Sequence, residues 1–276
     1  MDMEKTLSAI ASRVPSDGDE FIGDDGLLHC TRCGGPRQCR VDVFGSQKVV
    51  RCLCNCMAEQ RDREEELRKR RERMLEIERF RSIGFSDMEV RQWTFDADNG
   101  KNPKITQAMK NYVEHFPELR RSGKGLLLYG EVGTGKSVMS AMVVNALIDK
   151  SYPCMMTNFS RLVNKVSGLW EEKQDYLDSL TRFALIAIDD LGVERDSDFM
   201  NENVTTIIDS LYRAKVPMIV STNLDVKEMR DEKDVRRKRV FDRLLQVCHP
   251  IHFDGPSQRV QQGRDGYMEM KKILGM

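Results

Sequence analysis

Residues 126–137 read LLLYGEVGTGKS, an apolar run that turns into a glycine-rich loop and opens a helix. From Gly130 onward the residues Gly130, Glu131, Val132, Gly133, Thr134, Gly135, Lys136 and Ser137 fit the pattern G-x-x-x-x-G-K-[ST] in full. That pattern is a cradle for phosphate. Its glycines let successive backbone N–H groups converge on one anion, and the helix SVMSAMVVNALI, which begins at Ser137, adds the positive end of its dipole. In such a loop Lys136 reaches the β and γ phosphates and Ser137 holds Mg²⁺, so the expected cofactors are ATP and Mg²⁺.

On the C-terminal side of the loop, short apolar runs alternate with helical stretches. CMMTN (154–158) precedes a helix over Arg161–Trp170, FALIAIDD (183–190) a helix around Asn203–Arg213, and VPMIVSTN (216–223) a helix over Val235–Gln246, after which comes CHPIHFDG (248–255). With GLLLYG (125–130) these runs predict five strands. Strands buried on both faces read as continuous apolar runs, and strand–helix alternation gives a parallel sheet with helices on both faces, an α/β domain. Upstream, FSDMEVRQWTFDADNG (85–100) is turn-rich, and PKITQAMKNYVEHFPEL (103–119) reads as one helix with Ile105, Met109, Tyr112, Val113 and Phe116 on one side.

The strand from Phe183 to Ile188 runs into Asp189 and Asp190, two carboxylates at the carboxyl edge where parallel sheets place ligands. Asp189 is the candidate partner of Mg²⁺, and Asp190 the candidate base for the attacking water. The next strand ends in Ser221-Thr222-Asn223; if it lies between the other two, Asn223 stands beside the γ-phosphate and can position that water. RRKRVFDRLL (236–245) puts Arg239 and Arg243 four apart on one helix face, a geometry suited to steadying a phosphate of a neighbouring subunit.

The order of these motifs resembles the AAA+ ATPases, and within them the DnaC/DnaI-type replicative helicase loaders and their IstB-type relatives, over about residues 85–262. The residues that carry the resemblance are LLLYGEVGTGKS, ALIAIDDLGVE (184–194), VPMIVSTNL (216–224), RVFDRL (239–244) and GPSQR (255–259). The resemblance implies Arg243 as an arginine finger acting in trans and Arg259 as a sensor on the nucleotide. It also implies a DnaB-type hexameric helicase as partner, single-stranded DNA, and self-association through the ATP site, with Phe199 in the stretch Glu194–Asn203 touching DNA. Asp190 departs from the commoner Glu, and Gln258 stands where an aromatic residue is frequent.

Upstream of this region six cysteines, Cys30, Cys33, Cys39, Cys52, Cys54 and Cys56, crowd one short window. In a reducing compartment such clustering argues for metal rather than disulfides. Cys30-x-x-Cys33 and Cys54-x-Cys56 supply two ligand pairs for a small zinc-ribbon-like knuckle, with Cys52, Cys39 and His29 as alternatives. A zinc-bearing N-terminal module joined to this ATPase resembles the DnaI-type and phage-encoded loaders, and IstB-type proteins generally lack it.

The expected organisation is therefore 1–28, a short helix around Leu7–Val14 and an acidic tether; 29–57, the cysteine-rich zinc module; 58–84, a charged linker helix; and 85–276, the ATPase. Glu64/Arg68, Glu65/Lys69 and Glu66/Arg70 give the linker acid-first pairs four apart, and its apolar stripe is narrow enough for a solvated helix. Forty-four basic residues balance forty-four acidic ones, so the whole chain carries no basic signal for nucleic acid. There is no apolar run of the ~20 residues needed to span a bilayer, and the start MDMEKTLSAIASRVPSD has no secretory pattern, which predicts a cytoplasmic protein without membrane contact; the family resemblance implies a bacterial cytoplasm, with a cell or a phage as the source.

Overall fold

The computed structural model of the protein describes residues 19–85, 87–169, 171–192 and 198–275, with the backbone alone at 198–201, 258, 261, 262, 265 and 269. The expected helix at Leu7–Val14, Trp170, Glu194 and the side chain of Phe199 lie outside the described residues. The chain divides into two compact units, one up to Met74 and one from Leu75.

In the first unit β1 (Glu20–Ile22) pairs antiparallel with β2 (Leu28–Cys30), and β3 (Gln38–Val43) with β4 (Ser46–Arg51). Residues 20–28 are thus a hairpin, not the acidic tether expected there. Two of their three acids are engaged locally. Glu20 pairs with Arg37 at 3.4 Å and Arg51 at 3.1 Å, and Asp25 accepts the Leu27 N–H at 3.0 Å and faces His29. Helix α1 (Asn55–Gly84) starts early enough that Cys56 lies in its first turn. Lys69 pairs with Glu65 as its spacing predicts, whereas Arg68 turns forward to Glu72. Leu67, Met74 and Leu75 are exposed, as on a solvated helix. Ile77 and Phe80 depart from that expectation, because within the second unit they pack on the hydrophobic core.

The second unit continues with two 3₁₀ turns (Glu89–Gln92 and Phe95–Ala97), α2 (Pro103–Glu114) and α3 (Phe116–Ser122). The single helix expected over 103–119 is broken at His115; Pro117, in the first turn of α3, has no N–H to continue the earlier helix. Then follow β5 (Gly125–Gly130), α4 (Lys136–Asp149), β6 (Cys154–Asn158), α5 (Phe159–Ser167), α6 (Lys173–Leu180), β7 (Leu185–Leu191), α7 (Asp198–Arg213), β8 (Met218–Thr222), α8 (Val226–Arg230), α9 (Val235–Val247), β9 (Cys248–Phe253) and α10 (Gln258–Ile273).

β5 to β9 form one parallel sheet in the order β6-β7-β8-β5-β9. This is the five-stranded α/β sheet that the apolar runs predict, and β8 lies between the strand of the phosphate loop and the strand of the two aspartates. Period-two alternation splits β5 between two cores. Leu127 joins Ile186, Val220 and Phe241 on one face, while Leu126 and Leu128 join Val143, Leu147 and Phe253 on the other. Among the described residues no helix is long and apolar enough to cross a membrane.

Leu128 is fully buried beneath α4. Leu128→Ala is expected to cost about 2–5 kcal/mol of unfolding free energy, seen as a lower urea midpoint with an unchanged slope.

Candidate nucleotide site and thiolate centre

The loop after β5 owes its shape to glycine at two close approaches. Gly130 has φ +133° and Gly133 φ +82°; an added Cβ would come within 2.1 Å of Phe253 O at the first and within 2.1 Å of Ser257 Oγ at the second. A side chain at either point would push apart the loop and the segment that covers it. Thr134, 2% exposed, donates its hydroxyl to Glu131 O at 2.8 Å and braces the turn, while Val132 at the tip is exposed. Gly135, at φ +100°, delivers the chain into α4.

Lys136 is buried at the base of this loop. Its Nζ donates to Gly130 O and Glu131 O at 2.7 Å each and to Asn223 Oδ1 at 3.0 Å. The strand order therefore brings Asn223 to the loop, as its position at the end of β8 predicts. Burial lowers the Lys136 pKa, opposed by the charges of Asp189 and Asp190.

The pairing of β7 with β8 slips at the aspartates. Ile188 faces Val220 and Leu191 faces Thr222, so one extra residue is accommodated between them. Such bulges re-aim side chains at strand ends. Asp190 absorbs the irregularity at φ +60°, a left-handed conformation uncommon outside glycine. Ser221 closes the gap: its hydroxyl donates to Asp189 Oδ1 and accepts the Asp190 N–H at 3.0 Å. Thr222 ties the same strands, Oγ1 donating to Leu191 O at 2.8 Å. Sequence reasoning passed over Ser221 in favour of Asn223, although a hydroxyl residue one step inside the strand end was its only signal. Burial raises the Asp190 pKa, with the Asp189 charge adding to it and Arg259 and Lys136 opposing.

Arg259, Ser137 and Asp189 line one cavity together with Phe85, Trp93 and Arg161. On the other side of the loop, Ala97, Asp98, Asn102, Thr134 and Gly135 line a second, smaller cavity. The segment between residues 85 and 102 contributes to both, and α4 pins it. Asn145, 1% exposed, donates Nδ2 to Val90 O and to Trp93 O, both at 3.0 Å. Arg161 and Trp93 were not anticipated; both lie outside the recognisable motifs.

Arg243 stands apart from this assembly. Its Nη1 is 2.7 Å from Asp209 Oδ1 on α7 and its guanidinium lies over the Tyr212 ring. Arg239, four residues earlier, is exposed. Asn203, at the end of the stretch expected to meet DNA, is buried and accepts from Lys173 Nζ at 3.1 Å.

In the N-terminal unit the thiols of Cys30, Cys33, Cys54 and Cys56 lie within 4.8 Å of one another. Cys54 and Cys56 Sγ are 3.3 Å apart and Cys30 and Cys56 Sγ 3.6 Å. A tetrahedral zinc with bonds of about 2.3 Å needs sulfurs about 3.8 Å apart, so the four fit a Zn²⁺ ion. Two of the three alternatives are engaged elsewhere: the Cys52 thiol donates to Pro36 O, and His29 is held by Asp25 and Gly34 O; Cys39 is not among the four clustered thiols. The Cys33 backbone N–H, with Arg37 also donating, holds the Cys30 thiol down to about 6, while its neighbour Cys54 pushes Cys56 up to about 12. A dication among the sulfurs would favour the thiolate form of all four.

The family model for IstB-like ATP-binding proteins matches residues 56–266. The replicative helicase loader DnaI of Bacillus subtilis strain 168 is 25% identical over 167 residues, 56% of this chain and 52% of that protein. An insertion-sequence ATP-binding protein of Mycobacterium tuberculosis strain H37Rv is 24% identical over 173 residues, 61% of this chain and 68% of its own length. The crystal structure of the DnaC helicase loader superposes with a TM-score of 0.55 at 21% identity, over 61% of this chain and all of that one, and so shares the fold. The chain spans about half the length of the helicase loaders it matches.

Two expectations follow. A carboxyl whose folded pKa is raised contributes stability below its unfolded pKa that is lost as pH rises through the folded value. Asp190→Asn removes that loss, and is expected to raise the melting temperature at neutral pH more than at about pH 3 in scanning calorimetry, by a small amount because Asp190 is exposed and its charge is screened by solvent. Metal analysis is expected to find about one Zn²⁺ per chain, lost in Cys54→Ser and retained in Cys52→Ser.

Proposed function

Since the chain belongs to the IstB-like ATP-binding protein family, we propose that it is an AAA+ ATPase that loads a hexameric replicative helicase onto single-stranded DNA. The observation that carries the reading is the meeting of Lys136, Ser137, Asp189, Asp190 and Asn223 at the carboxyl edge of three adjacent strands. The thiolate centre beyond the family match and the helicase loaders among the relatives support it.

The residues divide the work as follows. The N–H groups of the Gly130–Ser137 loop and the Lys136 ammonium bind the β and γ phosphates, and Ser137 and Asp189 hold the metal. Mg²⁺–ATP, when bound, supplies the phosphoanhydride bond and the charge to which subunit association responds. Asp190 takes the proton of the attacking water, and its raised pKa offsets in basicity what it lacks in reach beside a glutamate. Asn223 orients that water, and Ser221 keeps both carboxylates on their bulge. Arg259 steadies the phosphates in cis, and Arg243 does so in trans, by leaving Asp209 for the nucleotide of a neighbouring subunit. A second reading, an ATPase that coats duplex DNA for a transposase, is favoured by the insertion-sequence relative.

The full chain with ATP is expected to capture a DnaB-type hexamer and to release phosphate faster with single-stranded DNA; Lys136→Ala loses both, and Asp190→Asn lowers phosphate release ~10²-fold or more. Because the base must be ionised, phosphate release is lost on the acid side, at a pH above the ordinary aspartate range. A preference for duplex DNA with no helicase capture would favour the second reading, and no ATP-dependent helicase capture under any condition would sink the first.

A further inference from the structure

The cavity lined by Ser137 and Asp189 carries two guanidinium groups, and only that of Arg259 belongs to a recognisable motif. The other, Arg161, lies in the first turn of α5, and two contacts fix where that turn stands. Asn158 Oδ1 accepts the Arg161 N–H at 2.9 Å and so caps the helix, and Asn158 is the register partner of Asp189 on β7. The start of α5 therefore stands over the same carboxyl edge as the candidate metal ligand. Helical side chains lean toward the N-terminus of their helix, so a long side chain in the first turn reaches past the helix start and over that edge. Arg161 comes from the β6 flank of β7, opposite to the flank from which Asn223 and Lys136 approach.

Among the described residues the Arg161 side chain makes no ion pair and no hydrogen bond. The two carboxylates that share its cavity are engaged elsewhere: Asp189 accepts from the Ser221 hydroxyl, and Asp87 accepts the Glu89 N–H at 3.0 Å. What separates Arg161 from an ordinary solvated charge is the wall beside it, formed by Phe85 and Trp93 and pinned by Asn145. Apolar walls strengthen the attraction of a cation for an anion, and the planar fork of a guanidinium matches phosphate oxygens. With a metal ion at Ser137 and Asp189, the phosphates nearest the cavity are the β and γ groups, and the loop N–H groups enclose the first of these. The group that extends beyond the loop toward Arg161 is the terminal one.

We propose that Arg161 is a further phosphate-binding residue, whose guanidinium meets the terminal phosphate of ATP within one chain and makes the site prefer the triphosphate to the diphosphate. This role for Arg161 rests on the ATP site of the proposed function and is independent of helicase loading.

The test is titration calorimetry of the full chain, as wild type, Arg161→Ala and Arg161→Lys, with the magnesium complexes of β,γ-imido-ATP and of ADP. Arg161→Ala is expected to weaken the triphosphate analogue roughly tenfold or more and ADP by less than about twofold. The melting temperature of the nucleotide-free chain is expected to stay unchanged, because the side chain is exposed. Lysine keeps the charge without the fork, and Arg161→Lys is expected to fall between wild type and Arg161→Ala. An Arg161→Ala chain that binds the analogue as wild type does overturns the contact, and so does equal weakening of both nucleotides, the mark of a disturbed loop. Weakening confined to concentrations at which the chain self-associates would also overturn it, by moving Arg161 to the site of a neighbouring subunit. A wild-type chain that binds neither nucleotide removes the ATP site, and the role of Arg161 with it. Failure to release phosphate from ATP, with the triphosphate preference present and lost in Arg161→Ala, would sink turnover and leave the contact supported.

Discussion

One serine hydroxyl holds the centre of this molecule together. Ser221 donates to the carboxylate of Asp189 and accepts the backbone N–H of Asp190, and so fixes a strand end that has one residue too many for its neighbour. Two residues farther along the same strand exit, Asn223 receives the ammonium of Lys136. The middle strand thus links the phosphate loop on one side to the two acids on the other, and anything that shifts it moves both halves of the site together. The acids are placed at a cost: Asp190 takes a left-handed backbone, and partial desolvation together with the neighbouring Asp189 disfavours its charge although its side chain is exposed. Stored strain and a disfavoured charge at one edge of the sheet are features that functional sites carry at some expense of stability.

How much of this was legible in the residues depended on the range over which each feature is specified. The sheet was legible because each strand carries its own evidence, an uninterrupted apolar run such as Leu185–Ile188, and because the phosphate loop brings a motif whose spacing is a local property. The four zinc-fitting thiols were legible as two short pairs. Ser221 was not, because a serine before a threonine is unremarkable until the strand beside it is known to bulge. Arg243 was read for its helix face and its likeness to a family; its attachment to Asp209 depends on the packing of α9 against α7, which no local pattern encodes. The small hairpins were missed for a different reason. The strands of the first, three residues each, are too short to carry periodicity, those of the second lie inside the cysteine window, and what holds them is an ion-pair set around Glu20 and a sulfur cluster rather than apolar surface.

The N-terminal unit and the second unit follow different economies of structure. The second unit buries leucine, isoleucine and valine on both faces of a sheet, and the polar groups of its candidate site are concentrated at one edge. The smaller unit has few buried apolar side chains, and its buried members include Cys30, Cys54 and Arg37. Its acidic residues, which in the sequence look like solvating charge, are the partners that let Arg37 sit inside and that shape the turn before His29.

Asn145 sets a limit on how the nucleotide-binding unit can be cut from its chain. Its amide holds two carbonyls of the segment before the sheet, and that segment lines cavities on both sides of the phosphate loop. Ile77 and Phe80, earlier still, belong to the same core. A transplantable nucleotide-binding cartridge therefore begins near Leu75, well ahead of the first strand of its sheet, and a chimera joined closer to Gly125 would carry every motif of the site and lack the walls around it.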